Sequence, residues 1–220
     1  MSFLFDLDGT LVDSVYQHVL SWHEALDAEG MGLSAWRIHR RIGMSGGLMA
    51  RAILRETGTR VSAEDAARLQ AAHEVAYRRR VGTVRPLPGA RQLLVRLTEL
   101  GVPWAIATSG RQASAAPAVA LLGLADPPVL VTRDEAPRAK PDPDLFLAAA
   151  KRIGADPADT VVVGDSIWDM IAAVRARFLA VGVLSGGYSD DELFRAGAMR
   201  VYEDPADLLL HLDEVGVREP

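Results

Sequence analysis

The chain has 220 residues, 49% of them apolar and 24% charged, with a formal charge of −5 and no cysteine. That length and apolar share support a buried core and exclude a disordered or fibrous chain, and the acidic balance argues against a nucleic-acid partner, whose phosphates want a net basic face. Missing cysteine removes disulfides, thiolate metal sites and cysteine nucleophiles, and no apolar run approaches the roughly 20 residues of a membrane-spanning helix.

Acidic residues begin at Asp6, too early for a secretory leader, so a cytoplasmic protein with no membrane partner is expected. The stretch from Ser2 to Leu7 is short and apolar around one acid and runs into Gly9-Thr10, which reads as a buried strand entering a tight turn, with Asp6 and Asp8 at its carboxyl end. From Val15 to about Val84 no strand pattern appears. Val15 to Glu29, Gly47 to Glu56 and Ala63 to Arg80 carry helical spacing. This region reads as an inserted helical unit that leaves the core after Asp13 and returns at Pro86-Leu87-Pro88-Gly89.

Further on, apolar runs at Pro103 to Ala107, Val129 to Thr132, Thr160 to Val163 and Phe178 to Val183 read as strands. Between and around them, Ala90 to Leu100, Ala113 to Leu122, Pro143 to Ile153 and Ile167 to Ala176 read as helices, with Gly101, Gly123 and Gly154 where carboxyl caps belong and Pro117 as a candidate bend. Strand and helix alternation implies an α/β fold, a Rossmann-like parallel sheet with helices on both faces and an inserted all-α domain. The predicted division is a core of 1–14 and 85–220 and a helical insertion of 15–84.

Ligands of such sheets bind beyond the carboxyl ends of the strands. The residues there are Asp6-Leu7-Asp8-Gly9-Thr10, Thr108-Ser109-Gly110, Lys140-Pro141 and Gly164-Asp165-Ser166-Ile167-Trp168-Asp169. Asp6 and Asp8, two apart in a strand, can face one pocket. Four converging carboxylates stay ionised only beside a cation, and oxygen ligands without thiols point to magnesium. A carboxylate nucleophile, charge neutralisation and a nearby proton donor are what phosphoryl transfer needs. Lys140 and Lys151 are the chain's only lysines, and a compact ammonium is not interchangeable with a guanidinium. Acids also occur beside glycine in plain turns, a hydroxyl can cap the next helix as well as touch phosphate, and Asp165 and Asp169 also suit a helix start.

Asp6 to Ser14 (DLDGTLVDS), the Thr108 strand end, the isolated Lys140-Pro141 and GDSIWD at Gly164 to Asp169 resemble, in order and spacing, the four motifs of the haloacid dehalogenase superfamily. The helical insertion after the first motif resembles its C1-type cap, and the chain is most similar to the group that holds phosphoglycolate phosphatases and beta-phosphoglucomutases. The resemblance implies Asp6 as nucleophile and magnesium ligand, and Asp8 as general acid and base whose carbonyl also faces the metal. Thr108 would bind the phosphoryl group, Lys140 would orient Asp6, and Asp165 and Asp169 would complete the Mg2+ site. Ser109 stands where asparagine is common and Arg177 where glycine is common; at a positive φ the arginine would cost about 1 kcal/mol.

Candidate substrate contacts are Ser109 and Gly110 in the core, and His18 and the loop residues Gly43, Ser45 and Gly46 in the helical unit. The expected activity is Mg2+-dependent hydrolysis of a small phosphorylated metabolite by a monomer or homodimer. A sugar phosphomutase remains the alternative, although the mutase loop carries an arginine where this chain has Gly46. A non-catalytic phosphate-binding protein is the third reading, and it would be expected to have lost one of Asp6, Asp8, Lys140 or Asp165.

Overall fold

A computed structural model describes residues 1–58 and 62–218. In chain order its main elements are β1 (Ser2–Phe5), β2 (Val12–Asp13), α1 (Val15–Ala28), α2 (Ala35–His39), α3 (Gly46–Glu56), α4 (Ala63–Arg78), β3 (Arg85–Pro86), α5 (Ala90–Glu99) and β4 (Trp104–Ala107), followed by α6 (Gln112–Ala120), β5 (Leu130–Val131), α7 (Asp144–Ile153), β6 (Thr160–Gly164), α8 (Ile167–Ala176), β7 (Leu179–Val183), α9 (Asp190–Ala196), β8 (Arg200–Tyr202) and α10 (Pro205–Leu210). They form two compact units, Met1–Asp13 with Arg85–Pro220 and Ser14–Val84.

The first unit is built on a six-stranded sheet in the order β5-β4-β1-β6-β7-β8. Every neighbouring pair in it is parallel. Its central strands are apolar on both sides, a composition that only a sheet covered on both faces can use. Leu4, in register with Ala105 and Val162, joins Ala107, Val131 and Ala180 in a cluster with Leu145, Phe146 and Ala149 of α7 and Met170 and Ala173 of α8. One residue out of step, Phe3, Phe5, Ile106, Val161, Val163 and Val181 are equally buried and face the other way. On that side α5, with buried Leu93, Leu94 and Leu97, packs against β4 and α10. Each such fully buried side chain contributes about 1.5 to 3 kcal/mol by leaving water.

The chain builds outward from β1 through β4 to β5 and then returns to β1's other side with β6. That reversal opens a crevice beyond the carboxyl ends of β1 and β6. The two-residue strands β2 and β3 pair antiparallel, Val12 with Pro86 and Asp13 with Arg85, so the chain leaves and re-enters this unit at one place. The five strands expected from apolar runs are present, and Pro117 lies inside α6 rather than ending it. Not anticipated were α9, α10 and the edge strand β8, three residues long with Arg200 exposed.

The helical unit carries its own core. Val15, Val19, Trp22 and Leu26 of α1 meet Ile38, Met49, Ile53, Leu54 and Leu69, a helical spacing in which α1 and α3 both pack on α4. Ser62 caps α4 by accepting the Asp65 N–H at 3.0 Å. No strand occurs in this unit among the described residues. The short α2 buries only Ile38, too little pattern for a sequence reading to detect.

Arg177, the cap residue that ends α8, has φ 61° and ψ 33°, the left-handed region in which a side chain crowds its own backbone. Among the described residues it is the one non-glycine with a positive φ. The substitution Arg177→Gly should therefore stabilise the protein by about 0.5 to 1 kcal/mol, part of the relief being offset by the freer unfolded chain. Urea unfolding checks this: the midpoint should rise with an unchanged slope, and a fall would mean that the arginine side chain contributes more than its backbone costs.

Candidate active site

Asp6 follows β1 directly and is buried, while its peptide N–H donates to the Val163 carbonyl of β6 at 2.9 Å. Asp165 follows β6 and is buried too. The strands therefore deliver both carboxylates to the same end of the sheet. Asp169 comes from the first turn of α8, where it makes a capping box with Ser166. One ligand oxygen from each of Asp6, Asp165 and Asp169 lies within 4.8 Å of the others. Asp8 does not belong to that buried trio; its Oδ2 lies 3.9 Å from where a Cβ on Gly110 would stand.

Lys140 is fully buried and bridges two of the three acids, with Nζ 2.6 Å from Asp6 Oδ1 and 2.7 Å from Asp169 Oδ1. Its ammonium also sits 4.8 Å from the centre of the Phe146 ring. Asp169 is fully engaged: Oδ1 faces Lys140, and Oδ2 accepts the Ser166 hydroxyl at 2.5 Å and the Ser166 N–H at 3.2 Å. Asp165 Oδ1 accepts the Thr10 hydroxyl at 3.0 Å. The oxygens with fewest protein donors are therefore on Asp6 and Asp165.

Burial pushes the Asp6 carboxyl up to about 7, the Lys140 ammonium pulling it partly back and Asp169 and Asp8 raising it again. Asp165 is also raised well above the usual carboxylate range, by burial first and then by the charges of Asp169 and Asp6. For Lys140 burial acts to lower the pKa, but Asp169 and Asp6 outweigh it and hold the ammonium above its ordinary value. One ammonium does not neutralise three buried carboxylates. A divalent cation beside Asp6 and Asp165 would remove that strain, and an all-oxygen donor set suits a hard ion.

Thr108, at the end of β4, is buried, and its Oγ1 accepts the Gly110 N–H at 2.9 Å. That bond occupies a lone pair and leaves the hydroxyl proton to donate elsewhere. Ser109 and Gly110 belong to the same loop, which the Arg133 N–H fastens through the Gly110 carbonyl at 2.9 Å. Asp6, Asp8, Thr108, Ser109, Gly110, Lys140, Asp165 and Asp169 thus all follow or flank the carboxyl ends of the sheet.

The remaining candidates belong to the helical unit. His18 stacks on Tyr77 with ring centres 3.9 Å apart, and its Nδ1 is 3.2 Å from Nε2 of His73. Gly43 has φ 94°, Ser45 is the buried residue that precedes α3, and Gly46 starts α3 with Gln70 so near that a Cβ would stand 3.1 Å from its Cδ.

Sequence reading gave no role to Thr10, Ser166, Phe146, Ser185 or Gly186. The Ser166 to Asp169 spacing is a capping-box signal visible in the sequence. Gly186 had no such signal, yet a Cβ on it would stand 1.8 Å from Asp165 Oδ2.

The sequence model of the haloacid dehalogenase-like hydrolase family matches residues 1–177, and the chain belongs to that family. It is 34% identical over 181 residues to hexitol phosphatase A of Escherichia coli, covering 82% of each chain. It is 35% identical to a phosphoglycolate phosphatase of Neisseria meningitidis over 84% of this chain and 80% of that one. Among solved structures, a hydrolase from Pseudomonas syringae superposes with TM-score 0.95 at 55% identity over 98% of this chain and 99% of that one. A beta-phosphoglucomutase from Clostridium difficile shares the fold, with TM-score 0.85 at 21% identity over 97% and 96%.

Replacing Lys140 by methionine would leave buried carboxylates without their ammonium, a change that costs about 3 to 5 kcal/mol when one partner of a buried pair is lost. The loss should shrink at pH 5, where the acids can take up protons, and be largest near pH 8. Urea unfolding of Lys140→Met at the two pH values measures both; equal losses would show that the acids are not held ionised by Lys140.

Proposed function

We propose that this haloacid dehalogenase-like hydrolase is a Mg2+-dependent phosphatase that cleaves a small phosphomonoester through an aspartyl-phosphate on Asp6. The observation that carries the reading is the buried set of Asp6, Asp165 and Asp169 around Lys140, joined at the same sheet end by Asp8 and Thr108. The phosphatase names of relatives that match more than four fifths of the chain support it.

Bound beside Asp6 and Asp165, Mg2+ would supply charge neutralisation for the transferring phosphoryl oxygens. The protein's own groups do the rest. Lys140, fixed by Asp169, holds the Asp6 carboxylate in one orientation. The free Asp6 oxygen attacks phosphorus in line, the bond from phosphorus to the ester oxygen breaks, and Asp8 gives that oxygen its proton. Asp8 then takes a proton from the water that attacks the aspartyl-phosphate, which releases phosphate and restores Asp6. Thr108, its lone pair occupied by the Gly110 N–H, donates to a phosphoryl oxygen, and Ser109 and Gly110 line the same position.

Water is the favoured final acceptor over a second sugar hydroxyl. Gly46, where the resemblance places a mutase arginine, has no side chain and is covered by Gln70, and Arg41 is paired with Glu56. Small phosphorylated metabolites such as phosphoglycolate and hexitol phosphates are the substrates to test first, with His18, Gly43 and Ser45 as the specificity positions.

The deciding experiment is phosphate release from a panel of phosphomonoesters, beta-glucose 1-phosphate included, with and without Mg2+. Magnesium-dependent release that falls at least about 10,000-fold in Asp6→Asn is expected. Isomerisation of beta-glucose 1-phosphate without net release would replace the phosphatase by the mutase.

The raised Asp6 and Asp165 carboxyls predict how metal and pH interact. A folded-state pKa near 7 for Asp6 makes its contribution to stability complete below about pH 4, the unfolded value, and lost as pH rises through about 7. Mg2+ binds the deprotonated acids, so the rise in melting temperature on adding Mg2+ should be larger at pH 8 than at pH 6. Thermal melts with and without the ion check this; an increment independent of pH would mean that other groups bind it.

A further inference from the structure

The 3-10 turn Leu184–Gly186 that follows β7 lies outside all four motif stretches, yet it touches two of them. Ser185 Oγ donates to the Gly9 carbonyl oxygen at 2.6 Å, across 176 positions of chain. Gly186 packs against the Asp165 carboxylate so closely that no side chain fits between them. Thr10, which shares the Gly9-Thr10 peptide, donates its hydroxyl to Asp165 Oδ1.

The Asp8-Gly9-Thr10 turn has its own internal bonds. The Leu7 carbonyl accepts the N–H groups of Thr10 at 3.3 Å, Leu11 at 2.9 Å and Val12 at 3.1 Å, and the Gly9 N–H reaches the Val12 carbonyl at 2.8 Å. These hold the peptide before Asp8 and the amide of Gly9. The peptide after Gly9 is held on its N–H side by the longest of these bonds, from Thr10, and on its carbonyl side from outside, by Ser185. Gly9 itself has φ 79°, and a glycine resists rotation less than any other residue.

We propose that Ser185 is a positioning residue: its hydrogen bond fixes the Gly9-Thr10 peptide, and through it both the Asp8 carboxyl and the Thr10 hydroxyl that orients Asp165. The effect on Asp8 rests on the acid role assigned above; the effect on Asp165 does not. A serine that served only to satisfy a carbonyl would lower stability without changing which substrates or ions are affected.

The test uses the full chain as wild type, Ser185→Ala and Ser185→Thr. Two esters separate the roles: 4-nitrophenyl phosphate, whose leaving group departs without a proton, and phosphoglycolate, whose alkoxide needs one. Hydrolysis of the aspartyl-phosphate is common to both esters, so the readout is kcat/KM, which stops at departure of the leaving group. Loss of a single positioning hydrogen bond should lower it about tenfold for phosphoglycolate in Ser185→Ala and less than about threefold for the nitrophenyl ester. Calorimetric titration with Mg2+, which needs no turnover, should show binding weakened at least about threefold in Ser185→Ala. Threonine should restore both.

Equal losses on the two esters, or unchanged Mg2+ affinity, would overturn the proposal. If wild type cleaves neither ester, the phosphatase reading fails instead, and the Mg2+ titration alone then decides the role of Ser185. Should Ser185→Ala not fold, Ser185→Cys, a weak donor of similar size, carries the same comparisons.

Discussion

The Lys140 ammonium, buried between Asp6 and Asp169, is the interaction from which the rest of the site follows. Removing three carboxylates and an ammonium from water is expensive, and one positive charge among three negative ones does not recover that cost. What such an arrangement provides is orientation: each of the three carboxylates has at least one oxygen held by a specific donor. Asp169 gives both its oxygens to Ser166 and Lys140 and so acts as the anchor of the lysine. Asp6 and Asp165 keep the oxygens with fewest protein donors, and burial first and then the neighbouring carboxylates hold their carboxyls above the ordinary range.

The sheet makes that arrangement available. Parallel strands covered on both faces can all point their carboxyl ends the same way, and the reversal of strand order beside β1 separates the loops enough to leave a crevice. β1 brings Asp6 and Asp8, β4 brings Thr108, β6 brings Asp165, and β7 brings the turn with Ser185 and Gly186. The apolar residues that pin these strands in register are adjacent in sequence to the groups they position. Phe5 precedes Asp6, Ala107 precedes Thr108 and Gly164 precedes Asp165.

The helical unit is a separate problem in physical terms. Its core of Val15, Trp22, Leu26, Ile53 and Leu69 is closed by packing that owes nothing to the carboxylates, and its stacked rings of His18, His73, Trp22 and Tyr77 hold α1 to α4. Relatives named for different phosphate esters match this chain at similar identity. Fold and motifs assign a reaction class; the choice of ester depends on side chains outside the motifs.

Local signals explain what the sequence disclosed. Alternating apolar strands and helices of ordinary length announced the parallel sheet, and acids and a hydroxyl directly after those strands, with an isolated lysine further along the loop after β5, announced the groups gathered at its carboxyl end. β8 escaped because three residues carry no period, and α2 because it buries one side chain. α9 and α10 did have legible starts, Ser189 with Glu192 and Asp204 before Pro205, in a tail whose short elements have little apolar pattern. The sequence by itself therefore determined the fold class and the chemical types at the site, since both depend on periodicity and on neighbours a few residues apart. Only the tertiary structure decided that Asp169 serves Lys140, that Thr10 and Gly186 flank Asp165, and that Ser185 reaches Gly9, because those contacts join residues up to 176 positions apart and distances across a fold leave no mark on local spacing.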